Sequence, residues 1–351
     1  MVGKKQVRGA KETRPRWPCS VCAKDCITDS IFCRHCGKWL HSTCDNVSES
    51  QFQELSSIPC GYICTACCSH PIGGFDFTRS LARMRKASRA NGMKGLRQAA
   101  VLEKILLRNQ PLEHSTKKNA ASQGIKVHQY SESIINSRGT ASRVPLNVKG
   151  DGNCLFNSVS VAIRGDQTMS WELRVRTCIE LVLNCGYYRN HFQFQNFKLV
   201  SCDLEEACQD CAIDGEFSSI FTMQALASVV GREIVSVYPA INGMLDKCIS
   251  ILNTILQPRI PGSRNRFKER IYIMWTRLSG TLPRQRNTHW LPNHFVPLVE
   301  QDIQPPEYEI NSDGKLQSFQ SGIHSPGSTS KYDQQYSIPL PCLNRLVTTN
   351  F

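Results

Sequence analysis

A chain of 351 residues is too long for one small domain and fits two or three. With 40% hydrophobic and 8% aromatic residues it can bury a real core, which excludes a wholly disordered polymer. The net charge is +13, and no run of eighteen apolar residues occurs, which excludes a membrane-spanning helix and predicts no membrane partner.

The charge is unevenly spread. Residues 1–18 form a basic tail with six Lys/Arg against one Glu. That tail has charge but no apolar stretch of the secretory kind, so a reducing compartment is expected. Residues 71–120 hold eleven Lys/Arg against Asp76, Glu103 and Glu113. These two stretches carry the whole excess. Such segments attract polyanions with little sequence choice, so non-specific nucleic acid is a candidate partner of residues 71–120. The plainer reading is a solvated, self-repelling linker.

Residues 19–70 are a cysteine-rich module that holds ten of the eighteen cysteines. Without an export signal, dense cysteine reads as metal ligation. The pairs are Cys19-x2-Cys22, Cys33-x2-Cys36, His41-x2-Cys44 and Cys64-x2-Cys67. Two ligands two residues apart share one face of a tight knuckle, and eight ligands suffice for two closed zinc sites. A module of about fifty residues has too little core to fold alone, and metal supplies the missing stability. Cys26, Cys60 and Cys68 are left over.

The order of four Cys, one His and three Cys, with Trp39 two residues before His41 and Tyr62 two before Cys64, resembles the PHD finger over residues 17–68. A RING finger places its His earlier among the ligands. The resemblance implies cross-braced ligation, with Cys19, Cys22, His41 and Cys44 on one zinc and Cys33, Cys36, Cys64 and Cys67 on the other. It also implies a histone tail as a possible partner. Trp39 is one candidate wall of an aromatic cage, but no second aromatic stands out in the sequence. A reader of unmodified tails, or a purely structural finger, is therefore expected.

Residues 71–140 are read as a basic linker, partly helical. Leu81, Met84, Met93, Leu96, Ala100 and Leu107 suggest an amphipathic helix interrupted at Asn91-Gly92. From 141 to 300 the pattern is mixed α/β. Trp171, Val175, Cys178 and Val182 recur at helical spacing, and 221–230 reads as a helix ended by Gly231. Residues 233–239 and 271–275 read as strands. The stretch 239–270 reads as a long basic loop. Residues 301–351, rich in Ser, Gln, Pro and Asn, read as a disordered tail.

Asp151-Gly152-Asn153-Cys154 is turn chemistry leading into an apolar helix. A cysteine at a helix amino terminus sits at the positive end of the dipole, which predicts a lowered pKa and a reactive thiolate. Gly152 allows this loop to approach a substrate carbonyl, and its N–H groups are candidates to hold an oxyanion. A nucleophilic cysteine needs a histidine brought near in space. His294 opens the apolar run Phe295-Val296-Pro297-Leu298, which places its imidazole at a strand end.

These pieces, with the helix-strand Met223–Tyr238, resemble the ovarian-tumour (OTU) family of cysteine peptidases over residues 144–300. Within that family the sequence resembles the vertnin-like subgroup, often associated with animal mobile elements. The resemblance implies a papain-like α/β core that cleaves ubiquitin from proteins. It makes Cys154 the nucleophile and His294 the general base, with Asp151 orienting the site or shaping the oxyanion loop. His289 also precedes an aromatic and is the rival base. Two departures stand out. Val296 occupies the position where many members carry Asp or Asn, and Asn157 stands where a basic residue is common. The expected whole is a nuclear, ubiquitin-directed thiol isopeptidase recruited to chromatin by its finger. The alternative is an OTU-like binding module without turnover in a nucleic-acid-associated protein.

Overall fold

The computed structural model describes residues 16–57, 61–69, 74–112, 124–135, 143–241, 247–260, 269–279 and 290–300, together with two short strands at 308–310 and 316–318. His289, Cys60, Cys342, the first fifteen residues and the basic cluster Arg264, Arg266 and Lys268 lie outside the described residues.

The cysteine module is built from knuckles and very short elements. Strand β1 (Ser30–Phe32) pairs antiparallel with β2 (Trp39–His41), setting Ile31 opposite Leu40. Helix α1 (Glu49–Ser56) starts at a capping box in which Ser48 and Gln51 satisfy each other's backbone N–H. Helix α2 (Thr65–Cys68) follows the last ligand pair. The small core joins Ile31, Leu40, Val47 and Tyr62 to Leu102 and Leu106, which come from the next helix.

That helix, α3 (Phe77–Leu106), is not a solvated connector. It breaks at Asn91 and Gly92, where Gly92 takes φ +56°, a backbone that L side chains rarely adopt. Its two halves turn back on each other. Glu103, 0% exposed, accepts from Ser80 Oγ at 2.6 Å and from Arg83 at 2.6 and 2.8 Å across the bend. Leu81, Met84, Leu96, Ala100 and Leu107 join the larger core, while Leu102 and Leu106 join the finger's core. Arg108 donates to the main-chain carbonyls of Asp45 and Asn46. The segment read as a linker thus serves both modules as shared packing. Arg83 turns inward to Glu103, while Lys86, Arg89, Lys94, Arg97 and Lys104 stand exposed.

The larger core is α/β. After α4 (Gln129–Ile134) and β3 (Arg143–Pro145) come helices α5 (Cys154–Arg164), α6 (Ser170–Leu183), α7 (Cys185–Arg189), α8 (Phe194–Val200), α9 (Leu204–Cys211) and α10 (Ile220–Val230). Then follow β4 (Ile234–Val237), α11 (Lys247–Leu252), β5 (Thr254–Leu256), β6 (Ile271–Thr276) and β7 (His294–Glu300). The sheet order is β3-β7-β6-β4-β5, with β4 parallel to β6 and the other neighbours antiparallel. Strand β6 is buried along nearly its whole length, as a central strand of a covered sheet must be. Helix α5 packs on β7, fixed by Ser158 Oγ donating to the Phe295 carbonyl at 3.1 Å. This contact brings the amino end of α5 to the start of β7. Within the carboxy-terminal stretch read as disordered, β8 (Tyr308–Ile310) pairs antiparallel with β9 (Leu316–Ser318).

Candidate active site and metal centres

The eight candidate ligands of the cysteine module fall into two groups. Cys19, Cys22, His41 and Cys44 place their ligand atoms within 4.8 Å of one another, and so do Cys33, Cys36, Cys64 and Cys67. His41 Nδ1 lies 3.5 Å from Cys22 Sγ and 3.7 Å from Cys44 Sγ, while Cys36 and Cys64 sulfurs lie 4.0 Å apart. Ligands at about 2.0–2.3 Å from a tetrahedral zinc have edges of this size. A donor set of three thiols with one imidazole, and a second of four thiols, both suit that ion. The residues present therefore fit a structural metal in each group. His41 Nε2 lies 3.2 Å from the Asp25 carbonyl, which holds the ring with Nδ1 toward the sulfurs. Cys26 and Cys68 are buried beside these groups without belonging to either.

The finger carries an aromatic group that the sequence concealed. Trp39 lies 5.3 Å from Phe32 and 6.4 Å from Trp17 between ring centroids. Trp17 and Phe32 remain 42% and 41% exposed. The Arg16 guanidinium already stacks on Trp17 at 4.4 Å. Trp17 belongs to the stretch read as a tail, and its approach depends on Trp17 N–H donating to Asp25 Oδ1 at 2.8 Å.

At the other site, Cys154 is the first residue of α5, after the Asn153 cap. Asp151 Oδ1 accepts from the Asn153 N–H at 2.9 Å and from Asn157 Nδ2 at 3.1 Å, so Asp151 shapes the loop before the thiol. Asn157 also donates to the Lys149 carbonyl at 3.2 Å and thereby braces the same loop. The expectation of an acidified thiol is overturned. Cys154 is 1% exposed, and burial pushes its pKa from 9.0 up to about 12. A main-chain hydrogen bond from Phe295 opposes that shift, and the Asp151 charge adds to it. The helix terminus is present, but desolvation of the thiolate outweighs it.

The close approach allowed by Gly152 is also taken by the protein itself. Gly152 has φ +78°, and a Cβ there would meet the Gly215 carbonyl oxygen at 1.8 Å. The loop between α9 and α10 therefore lies directly on the 151–154 loop. Phe217 of that segment stacks on Phe295 at 5.0 Å with 12° between planes. Asn153 Nδ2 donates to Asp214 Oδ1 at 2.9 Å.

His294 is the first residue of β7, paired with Thr276, and is 0% exposed. Its ring makes no hydrogen bond to Cys154. Neither nitrogen has a partner of ordinary geometry, and the main chain of Val148 offers only a marginal polar contact. The ring instead lies 5.5 Å from His128. Burial first, and the neighbouring His128 second, lower its pKa from 6.5 to about 3. His128 is itself held by Ser131, whose N–H donates to Nδ1 at 3.2 Å, and by a 3.3 Å contact from Nε2 to the Leu278 carbonyl. The structure thus brings Asp151, Asn153 and Cys154 together and sets Cys154 against the residue after His294, but it leaves the thiol and the imidazole unbonded.

Arg174 is the residue that sequence reading missed. It lies on α6, fully buried, with its guanidinium 4.8 Å over the Phe156 ring. It donates to Asn153 Oδ1 at 2.6 Å and to the Gly152 carbonyl at 3.0 Å on one side. On the other it donates to the carbonyls of Ile213 and Glu216, each at 2.6 Å. A signal was available, because position 174 falls on the same buried stripe as Trp171, Val175 and Cys178, where a charge is costly unless it has a task.

Residues 145–276 match the family model "Vertnin, OTU domain". The chain is 27% identical over 262 residues to the vertnin of Ailuropoda melanoleuca, covering 67% of this chain and 34% of that protein. It is 28% identical over 243 residues to the vertnin of Bos taurus, covering 62% and 35%. For the vertnin of Homo sapiens the figures are 27% over 221 residues, 56% and 30%. The chain spans about a third of the length of these curated relatives. Among solved structures, the OTUD1 OTU domain is similar over 46% of this chain and 87% of that one, at 18% identity and a TM-score of 0.29. Asp151, Cys154 and Arg174 lie inside the matched span, whereas the finger and His294 lie outside it. The α/β core that carries Cys154 is similar to the OTU domain of vertnin over residues 145–276.

Proposed function

We propose that the protein is a ubiquitin-directed thiol isopeptidase held in a latent state. The carrying observation is that Cys154 opens α5 directly against the main chain of Phe295, the residue that follows His294, within an OTU-type domain. In the reaction, His294 takes the Cys154 proton and the thiolate attacks the isopeptide carbonyl carbon. Main-chain N–H groups of the 151–154 loop, kept in shape by Asp151 and Asn157, receive the oxyanion. The C–N bond breaks as His294 returns the proton to the lysine amine, and water then hydrolyses the thioester. The His294 ring must leave His128 for this to occur. Incubation with a ubiquitin-derived suicide probe tests the reading, with Cys154→Ser as control. Absence of any Cys154-dependent adduct would defeat it.

A second reading, a ubiquitin-binding OTU module without turnover, is favoured by Val296 at the position of the usual tautomer-fixing residue and by the unpartnered nitrogens of His294. It predicts complex formation with ubiquitin and no adduct in the same incubation.

The finger is read as PHD-type, with two structural zinc ions, acting on a histone tail in the nucleus. The supporting observations are the cross-braced grouping of its candidate ligands and the Trp17–Phe32–Trp39 face, where the Arg16 guanidinium stacks on Trp17. Non-specific nucleic acid is read as a partner of the outer face of α3. Lys94, Arg97 and Lys104 stand exposed there beside a cavity of about 1130 Å³ that α1 and α6 also line. No aromatic side chain lines that cavity, which suits phosphate contacts and not base stacking.

A further inference from the structure

We propose that the segment Ile213–Phe217 is a cover over the Cys154 thiol, that Arg174 is the positioning residue that latches it, and that substrate reaches the thiol only when the cover opens. The inference deepens the isopeptidase reading of this site, and its geometry is independent of whether turnover occurs.

Three separate contacts hold the segment down. Backbone meets backbone where Gly152 faces Gly215, a spacing that no side chain at 152 permits. A side-chain hydrogen bond joins Asn153 to Asp214 at 2.9 Å. A stacked ring pair joins Phe217 to Phe295, whose main chain touches the thiol. Arg174 ties the two sides through one guanidinium, with the 152–153 loop on one edge and the carbonyls of 213 and 216 on the other.

The latch is poised by its own chemistry. All the hydrogen bonds that Arg174 makes go to neutral oxygens, and none of its partners is a carboxylate. Asp214 acts on this buried guanidinium only across space, so its desolvation penalty is offset only in part by the carbonyl dipoles. Lifting the cover removes the 213 and 216 carbonyls but returns the charge to water. Losses and gains therefore partly cancel, unlike the opening of an apolar seal. Two glycine-flanked turns, at Gly152 and Gly215, supply backbone that can change without side-chain clashes.

Alkylation of the full, metal-loaded chain by iodoacetamide, with each cysteine followed by peptide mass spectrometry, tests the cover. Cys178 and Cys208, buried in the same core, report global opening. In the native protein Cys154 should alkylate as slowly as Cys208. Asp214→Ala, a change at an exposed position, and Arg174→Lys, which keeps the charge but loses the planar fork, should each speed Cys154 labelling about tenfold or more while Cys208 stays protected. Rapid Cys154 labelling in the native chain would overturn the proposal. So would Cys154 and Cys208 rising together in both variants, because Arg174 would then support only the core. If the opened variants alkylate selectively at Cys154 yet give no adduct with the ubiquitin probe, the cover stands and the isopeptidase reading falls.

Discussion

The turn of α3 makes the cysteine module and the α/β core depend on one buried charge, and removing that charge is the sharpest test of the architecture. Glu103 is wholly buried, takes three hydrogen bonds at 2.6–2.8 Å, and receives two of them from Arg83, whose side chain is 19% exposed. In Glu103→Met the Ser80 hydroxyl and a mostly buried guanidinium lose their acceptor together. Breaking a buried pair from one side costs about 3–5 kcal/mol. Total stabilities of about 5–15 kcal/mol make that a large fraction. The double variant Arg83→Met/Glu103→Met removes both charges and should recover most of the loss, because two apolar side chains at the bend leave nothing uncompensated. Urea denaturation followed by tryptophan fluorescence reads both changes. If Glu103→Met alone lowers stability by less than about 1 kcal/mol, the two halves of α3 are not held by this pair. The inference that the basic segment is structural would then fail.

Metal analysis of the purified chain should give two zinc ions, and Cys44→Ser should reduce the content toward one while the Cys33-Cys36-Cys64-Cys67 group keeps its ion; a full complement in Cys44→Ser would refute the grouping. Stability should fall between pH 6.5 and 3, because unfolded His294 takes up a proton near its ordinary pKa whereas the folded residue stays neutral down to about 3. The slope is at most about 1.4 kcal/mol per pH unit, and a His294→Gln variant with an unchanged pH dependence in denaturation would contradict the burial argument. Trp39→Ala should weaken binding of a trimethyl-lysine histone peptide about fivefold in a fluorescence titration, as expected of a lost ring-face contact; equal affinity would assign the rings to packing. Reversing Lys94, Arg97 and Lys104 to Glu should abolish salt-sensitive binding of DNA of mixed sequence, and binding that survives would remove α3 from that role.

What the sequence made legible was local. The Asp-Gly-Asn turn before Cys154, the helix that stops at Gly231 and the apolar runs of β4 and β6 are each written in fewer than a dozen adjacent residues. The ligand pairs were legible for the same reason, since a knuckle is a four-residue object. Elements that depend on distant partners were not. The amphipathic pattern of α3 shows a helix and its break at Asn91-Gly92, but Glu103 meets Arg83 twenty residues earlier, and nothing local says so. Trp17 reads as tail until Asp25 holds it beside Trp39. Arg174 breaks an apolar stripe in plain view, yet its partners come from residues 152–153 and 213–216.

The thiol shows why position in a helix is a poor guide to reactivity. A helix amino terminus favours a negative charge by about 0.3–1 kcal/mol at ordinary exposure, and up to about 2 in buried geometries. Raising a thiol from 9.0 to about 12 corresponds to a disfavouring of the thiolate by about 4 kcal/mol. The larger effect belongs to burial, and on the cover proposal that burial comes from the 213–217 segment, which lies on Gly152 and stacks on Phe295, and not from α5 itself. The amino end of α5 therefore stays ready to stabilise a thiolate and waits only for solvent. On this account the ionisation of Cys154 and the opening of the 213–217 segment are one event. A substrate tail that displaces Gly215 would in the same motion uncover the sulfur and remove the main reason for its proton to stay.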